Sequence, residues 1–159
     1  MKYEQIKKYK WSLNGGSNMN SLSVRFEIEE LCKNNQIPRD KFFEVRKDQW
    51  KSILTNIEDR FITKTHYSQG LHWGWNRLKE PSYAVRLVDP PYKHFDYFIE
   101  DDHIWFIVED IYDKMWIYEG ESRLIFDQVI PELYQLKEYY LVSKKYKWII
   151  CEDHHGITH

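Results

Sequence analysis

Residues 103–118, HIWFIVEDIYDKMWIY, determine the fold that the sequence predicts. The segment His103–Glu109 is apolar at every position from Ile104 to Val108. Strands that are covered on both faces of a sheet carry such unbroken apolar runs, so we expect a central strand here. Lys114–Tyr118 follows after a short acidic loop and is predicted to be the hairpin partner of this strand.

Elements on either side of this hairpin complete the predicted fold. Apolar residues at helical spacing predict one helix from Leu22 to the Asn34-Asn35 pair, and a second from its N-cap Asp48 to Phe61. The other predicted elements are a strand at 83–87, short helices at 92–98 and 121–130, strands at 139–142 and 146–151, and a last short strand at 157–159. This order predicts an α+β class, with a mixed or mainly antiparallel sheet of about five to six strands and helices packed on it.

The chain is predicted to be one domain with an extension. Residues 1–20 contain four lysines and the stretch Asn14–Asn20, which is rich in Asn, Gly and Ser, and this composition favours a flexible N-terminal extension. Residues 21–159 are predicted to form a single α+β domain. The lysines stand near Tyr3, Tyr9 and Trp11, a mixture also found in nucleic-acid-binding tails. A solubilising tail is the simpler interpretation, and we expect no nucleic-acid partner.

Composition excludes several classes of protein. The 159 residues contain no apolar segment near the roughly 20 residues that span a bilayer, and the N-terminus has no apolar signal core. The two cysteines do not make a disulfide framework, so a cytoplasmic protein without membrane contact is expected. Phosphate-binding and dinucleotide-binding loops have no match, and we expect neither a cofactor nor an enzyme.

Negative charge is concentrated in the second half of the chain. Residues 81–159 carry a net charge of -7, and the window 96–121 alone carries -8. Its acids stand mostly at the ends of predicted strands, so several are expected to share one rim of the sheet. Aromatic residues, among them Tyr112 and Trp116, are interleaved with them. An acidic rim with aromatic anchors would attract a basic protein and repel nucleic acid.

Two other groups of residues are candidates for chemistry. Cys151, His154 and His155 offer metal ligands, but their spacing matches no zinc pattern, and a turn is needed to bring the histidines together. A polar turn with positive φ at Gly156 is the simpler interpretation. The loop His72–Trp75 carries two tryptophans, which either cap the core or remain exposed as contact residues.

Five segments of the chain resemble a small uncharacterised family from Gram-positive bacteria over roughly residues 21–155. They are 78–83 (LKEPSY), 104–110 (IWFIVED), 116–120 (WIYEG), 138–146 (EYYLVSKKY) and 148–155 (WIICEDHH). That family is similar, more loosely, to the SUKH superfamily of bacterial toxin-immunity proteins. The resemblance implies a compact α+β domain that binds and neutralises a cognate toxin. It does not imply a catalytic residue in this chain.

These observations predict a non-enzymatic binding protein, an immunity-type antagonist that occludes a basic toxin domain. The predicted partner-binding residues are acids of the rim with one aromatic anchor: Asp101, Asp102, Glu109, Asp110, Asp113 and Trp116. The alternative is a small enzyme or metal-binding protein that uses Cys151, His154 and His155. The oligomeric state is left open by the sequence.

Overall fold

Five strands form one open antiparallel sheet in the computed structural model, which describes residues 23–66, 70–86, 89–95 and 99–159. The strand order is β1-β3-β2-β4-β5. The strands are β1 (Phe42–Glu44), β2 (His103–Glu109), β3 (Met115–Glu121), β4 (Tyr139–Ser143) and β5 (Ile149–Glu152). Every pairing is antiparallel, which confirms the predicted α+β class.

Helices cover both faces of the sheet. They are α1 (Val24–Asn34), α2 (Lys47–Phe61) and the single turn α3 (Ser122–Leu124), which widens into a π-helical turn (Ile125–Val129) and then tightens into a 3-10 turn (Ile130–Glu132). Further 3-10 turns are Gly74–Arg77, Pro91–Lys93 and Ile111–Asp113. Within the described ranges no helix has the length and apolarity that crossing a membrane requires.

The central strand β2 separates two hydrophobic cores. Because side chains alternate along a strand, Phe106 and Val108 face the core that contains α1 and the helical turns after β3. Trp105 and Ile107 face the other core, which contains α2. All residues from Ile104 to Val108 are at most 7% exposed, so the predicted two-sided burial of this strand is confirmed.

Some predicted element boundaries are wrong. Helix α2 begins at Lys47 after Arg46, and Asp48 lies in its first turn, where its carboxylate pairs with Arg46 at 2.6 Å instead of capping the helix. The predicted strands at 83–87 and 157–159 form no regular strand in the described residues. Thr158 makes isolated bridges with Val85 and with Glu152, and His159 exchanges backbone hydrogen bonds with Cys151. Residues 87, 88 and 96–98 lie outside the described residues, as does the extension 1–20.

Antiparallel pairing defines the two ends of the sheet. Val108 of β2 is paired with Trp116 of β3 and Tyr139 of β4, and Tyr139 is paired with Glu152 of β5. The residues that follow β2 and β5 therefore lie beside those that precede β3 and β4, at what we call the turn end. Asp101, Asp102 and the residues that follow β3 lie at the opposite end.

The two-sided core predicts a graded loss of stability at Ile107, which is fully buried. Ile107→Val should lower the free energy of unfolding by about 0.5–1.5 kcal/mol and Ile107→Ala by about 2–5 kcal/mol, since a growing cavity is left between β2 and α2. Urea denaturation measures both. Tyr83→Ala, at a side chain that is 79% exposed, is the control and should stay within about 0.5 kcal/mol of wild type. Equal stability of the two Ile107 variants would contradict the packing.

Candidate functional site

The acids predicted to share one rim lie at both ends of the sheet. Asp101 and Asp102 precede β2 and Glu109 ends it, six residue steps after His103. A strand rises by about 3.4 Å per residue, so about 20 Å separates the two acidic groups. The expectation of one shared rim is wrong, because the turn acids and the acids before β2 belong to opposite ends of the same strand.

Lysines and a tryptophan already contact acids of the opposite end. Asp101 Oδ2 accepts a hydrogen bond from Trp148 Nε1 at 2.8 Å. Glu119 pairs with Lys144, and Glu121 lies 3.5 Å from Lys41 Nζ. Of the predicted partner-binding residues at this end, Asp102 is the exposed one. Glu100 is exposed at this end as well.

Asp110 holds the N-terminus of α1 to the turn after β2. Its Oδ2 accepts a hydrogen bond from Ser23 Oγ at 2.7 Å, and its Oδ1 accepts one from the backbone N–H of Val24 at 2.9 Å. Oδ1 also accepts from the backbone N–H of Ile111 at 2.8 Å. A carboxylate at a helix N-terminus satisfies free N–H groups and opposes the helix dipole. Asp110 therefore stabilises the N-terminus of α1.

Trp116 is buried rather than presented to a partner. Its side chain is 7% exposed and meets Trp50 edge to face, with ring centroids 5.4 Å apart. Arg25 lies 4.4 Å and Lys114 lies 4.3 Å from the centroid of the Trp116 ring. Cations stacked on the ring cover it, so the expectation of an exposed aromatic anchor at Trp116 is wrong.

Two glutamates lie side by side at the turn end. Glu109 ends β2, Glu138 precedes β4, and the backbone N–H of Glu109 donates to the carbonyl oxygen of Glu138 at 3.2 Å. Their side chains are 13% and 6% exposed. Sequence reasoning identified Glu109 but missed Glu138. The signal available was a charged residue directly before the apolar run Tyr139–Val142.

A histidine flanks each of these glutamates. His72 Nδ1 lies 2.8 Å from Glu109 Oε1, and His154 Nδ1 lies 2.5 Å from Glu138 Oε1. Trp75 Nε1 also donates to Glu138 Oε1 at 3.3 Å. We call these four residues, His72, Glu109, Glu138 and His154, the His–Glu cluster.

The loop that carries His72 is fixed to β4. Tyr140 is buried in that strand, donates its hydroxyl hydrogen to the carbonyl oxygen of Leu71 at 2.7 Å and accepts from the backbone N–H of Trp75 at 3.2 Å. A Cβ at Gly74 would lie 3.1 Å from this hydroxyl, so glycine allows the loop to approach without a tight contact. Arg77 Nη2 donates to the carbonyl oxygen of His72 at 3.2 Å. His72 is therefore held by fixed backbone.

Burial and a neighbouring carboxyl shift the pKa of Glu109. Burial raises the pKa of the Glu109 carboxyl above its usual value, the hydrogen bond with His72 opposes this rise, and the adjoining Glu138 carboxyl adds to it. The Oε2 atoms of Glu109 and Glu138 are buried and have no hydrogen-bond donor in the part of the chain that the structure describes. Like charges in a poorly solvated place favour one bound proton or another cation. Perturbed acids of this kind concentrate at functional sites.

A cavity of about 450 Å³ opens beside the His–Glu cluster. Glu109, Asp113, Glu138 and His154 line it, together with Lys137. Asp113 Oδ1 also lies 3.8 Å from His72 Nδ1. One ligand atom each from His72, Glu109 and Asp113 lies within 4.8 Å of the others, so these side chains are placed to hold a cation. The turn end thus combines acids, imidazoles and an accessible volume.

The predicted Cys/His group is only partly brought together. The rings of His154 and His155 lie 3.9 Å apart, because a turn with φ of 72° at Gly156 follows β5. Cys151 is 1% exposed in the core beneath α2, and burial raises the pKa of its thiol. Cys151 is therefore directed away from the histidines, and the three residues form no common ligand set.

The sequence left two interpretations of the tryptophans in the loop His72–Trp75, a cap on the core or an exposed contact, and each describes one of them. Trp73 is 53% exposed, and its ring stacks on His72 at a centroid distance of 4.9 Å. Trp75 is half-buried and meets the ring of His154 edge to face at 5.9 Å. Trp75 is thus part of the support of the His–Glu cluster, and Trp73 faces solvent.

Comparison with known proteins identifies a family. Residues 20–159 match the model of DUF6756, described as a family of unknown function, and the chain belongs to that family. No curated protein matches the chain. No solved structure matches it either.

The capping role of Asp110 predicts a loss of stability when its charge is removed. Asp110→Asn should lower the free energy of unfolding by about 1–3 kcal/mol, because the charged hydrogen bonds to the start of α1 are weakened. Thermal and urea denaturation measure this loss. Asp113→Asn is the matched control, since the Asp113 side chain is 70% exposed, and it should change stability by less than about 0.5 kcal/mol. Equal stability of the two variants would show that Asp110 does not hold α1.

The hydrogen bonds to the Asp153 carboxylate predict that the free energy of unfolding depends on pH. Burial tends to raise the pKa of this 1% exposed carboxyl, but hydrogen bonds from the backbone of Ile157, the His159 ring and the backbone of His155 keep it below its usual value. Its stabilising effect is therefore complete above the unfolded-state pKa of about 3.9 and disappears as pH falls through the lower folded-state pKa.

Asp153→Asn tests this linkage. The variant should be about 1–3 kcal/mol less stable than wild type at neutral pH, and this difference should shrink in acid as Asp153 is protonated. Urea denaturation over a pH series measures it. Asp127→Asn, at an exposed position, is the control and should show no such trend. A difference that stays constant down to the lowest pH would rule out the charge of Asp153 as its cause.

Proposed function

We propose that this DUF6756 protein is a non-enzymatic binding protein, an immunity-type antagonist that recognises a basic toxin domain and occludes it. The proposed contact surface is the exposed part of the turn end, formed by Trp73, Ile111, Tyr112 and Asp113. We call it the turn surface. It replaces the single acidic rim expected from the sequence, and it includes Asp113, an acid of that rim whose side chain is exposed at this end of the sheet. The proposal places the protein in the cytoplasm.

Exposed aromatic side chains beside an acid are the observation that carries this proposal. Tyr112 is 81% exposed, Trp73 is 53% exposed and Ile111 is 39% exposed. Trp73 stacks on His72, whose Nδ1 lies 3.8 Å from Asp113 Oδ1, so the loop and the β2–β3 turn meet here. Tryptophan and tyrosine are the residues most enriched among those that dominate binding energy at protein interfaces.

The backbone beneath the turn surface supports a binding role. Trp73, Tyr112 and Asp113 have φ of 52°, 60° and 58°, in the left-handed region that side chains other than glycine seldom adopt. Such conformations cost free energy and persist where the surrounding structure enforces them, frequently at functional sites. Here they turn two large aromatic side chains outward. A surface that is already formed loses little conformational entropy on binding.

Charge favours a basic partner. The Asp113 side chain is 70% exposed. Of the neighbouring cations, Lys114 lies over the buried Trp116 ring at 4.3 Å from its centroid, and Lys137 lines the cavity together with Asp113. An exposed acid next to aromatic side chains attracts basic groups and accelerates their association.

A toxin domain encoded beside this chain's gene is the probe that this proposal requires. Trp73→Ala combined with Tyr112→Ala should weaken its binding by at least about 100-fold, because two dominant contacts are removed. Calorimetry measures the affinity, and rescue of growth on co-expression measures the antagonism. Phe43→Ala combined with Tyr83→Ala is the matched control, since these aromatic side chains are exposed on other parts of the surface, and it should bind as wild type does.

The salt dependence of the association rate with the same toxin domain tests the role of charge. Association of wild type should slow as salt is raised, and Asp113→Asn should reduce this dependence. Equal affinity of the two aromatic double variants would contradict the turn surface. The immunity function would be contradicted by a genome that encodes no toxin beside the gene, or by a neighbouring toxin domain that the wild-type chain neither binds nor neutralises.

A further inference from the structure

We infer that His72, Glu109 and Asp113 bind one divalent transition-metal cation of the Zn²⁺ class at the turn end. This inference does not depend on the proposed antagonism, because its readout is the binding of a metal by the isolated chain. It also differs from the alternative metal ligands Cys151, His154 and His155 considered from the sequence, since the Cys151 thiol is buried in the core.

The ligand geometry is the first support. His72 Nδ1 lies 2.8 Å from Glu109 Oε1 and 3.8 Å from Asp113 Oδ1, and one atom from each residue lies within 4.8 Å of the others. A zinc ion about 2.0–2.2 Å from each ligand requires ligand atoms roughly 3–4 Å apart. Small side-chain rotations therefore suffice to close these three groups around one cation.

Unpaired buried acceptors are the second, independent support. Among the described residues, Glu109 Oε2 and Glu138 Oε2 are buried without a hydrogen-bond donor, and Glu138 is only 6% exposed while lining the cavity beside Asp113. Within the described ranges, no lysine or arginine forms a salt bridge with either glutamate. Burying two carboxylates without compensation is unfavourable. A cation next to Glu109 supplies the missing positive charge.

Residues around the ligand set hold it in place. Glu138 adjoins Glu109 and accepts hydrogen bonds from His154 and Trp75 at 2.5 and 3.3 Å. Arg77 donates to the carbonyl oxygen of His72 at 3.2 Å. Partners of this kind orient metal ligands and strengthen metal binding. Glu138 holds the backbone of Glu109 through its carbonyl oxygen and adds negative charge beside that ligand, and the three ligands come from β2, its turn and the loop fixed by Tyr140.

The donor types select the metal class. One imidazole with two carboxylates suits Zn²⁺ and its neighbours in the first transition row, whereas Mg²⁺ and Ca²⁺ prefer sites made of oxygen alone. Three protein ligands leave a coordination position open, and the cavity of about 450 Å³ gives access to it.

The experiment uses the full chain without an affinity tag, freed of metal by a chelator and titrated with ZnCl₂ in a calorimeter. One Zn²⁺ per chain should bind, with no heat from MgCl₂. His72→Asn should abolish the binding, and Glu138→Gln should weaken it by about 10- to 100-fold. Co²⁺ in place of Zn²⁺ should give a visible absorption spectrum that His72→Asn removes.

Matched controls separate ligand loss from general effects. His103→Asn and Asp102→Asn alter exposed residues at the other end of β2 and should bind Zn²⁺ as wild type does. Asp113→Asn alters a side chain that is 70% exposed, so it should weaken binding while leaving the circular dichroism spectrum and the melting temperature unchanged. This variant tests the site even if changes at Glu109 disturb folding.

Three outcomes would overturn the inference. The first is the absence of stoichiometric Zn²⁺ binding by the wild-type chain, which would leave a shared proton as the cation of the Glu109–Glu138 pair. The second is equal affinity of Asp113→Asn and Asp102→Asn. The third is loss of binding in His155→Asn with full binding in His72→Asn, which would assign the metal to the histidines after β5.

Discussion

Burial of β2 on both faces is the constraint on which the rest of the structure depends. Alternating side chains send Phe106 toward α1 and Ile107 toward α2, so no charge can be placed along the middle of the strand. Charged residues are confined to its two ends. Because neighbouring strands run antiparallel, each end collects acids from several strands, and the length of β2 keeps the two collections about 20 Å apart.

The buried and half-buried acids of the turn end differ in how many hydrogen-bond donors compensate their charge. Asp110 receives N–H and O–H donors from the start of α1, and Asp153 receives donors from its own turn, so both stabilise the fold. Glu109 and Glu138 each retain a buried oxygen without a donor. Proteins tolerate such a cost where it serves a function more readily than where it serves only the fold. The glutamates of the His–Glu cluster therefore differ from Asp110 and Asp153 in the compensation of their buried oxygens.

The turn surface and the His–Glu cluster share one loop and one turn. His72 contacts Glu109 and Asp113 on one side of its ring system and stacks on Trp73 at 4.9 Å. Left-handed backbone at Trp73 and Tyr112 turns these aromatic side chains away from the core. The His72 ring therefore contacts both the polar cluster and the exposed aromatic surface.

By itself the sequence determined the α+β class, both long helices and the double-sided central strand, because helical and strand periodicity are local properties that Ile53, Ile57 and residues 104–108 display directly. It also indicated Glu109 and Asp113 as residues of interest. Only the tertiary structure decided that Glu138 lies beside Glu109, that Trp116 is buried and that the acids divide between two ends. These facts depend on strand register and loop placement, which join residues far apart in the chain and leave no period in the sequence.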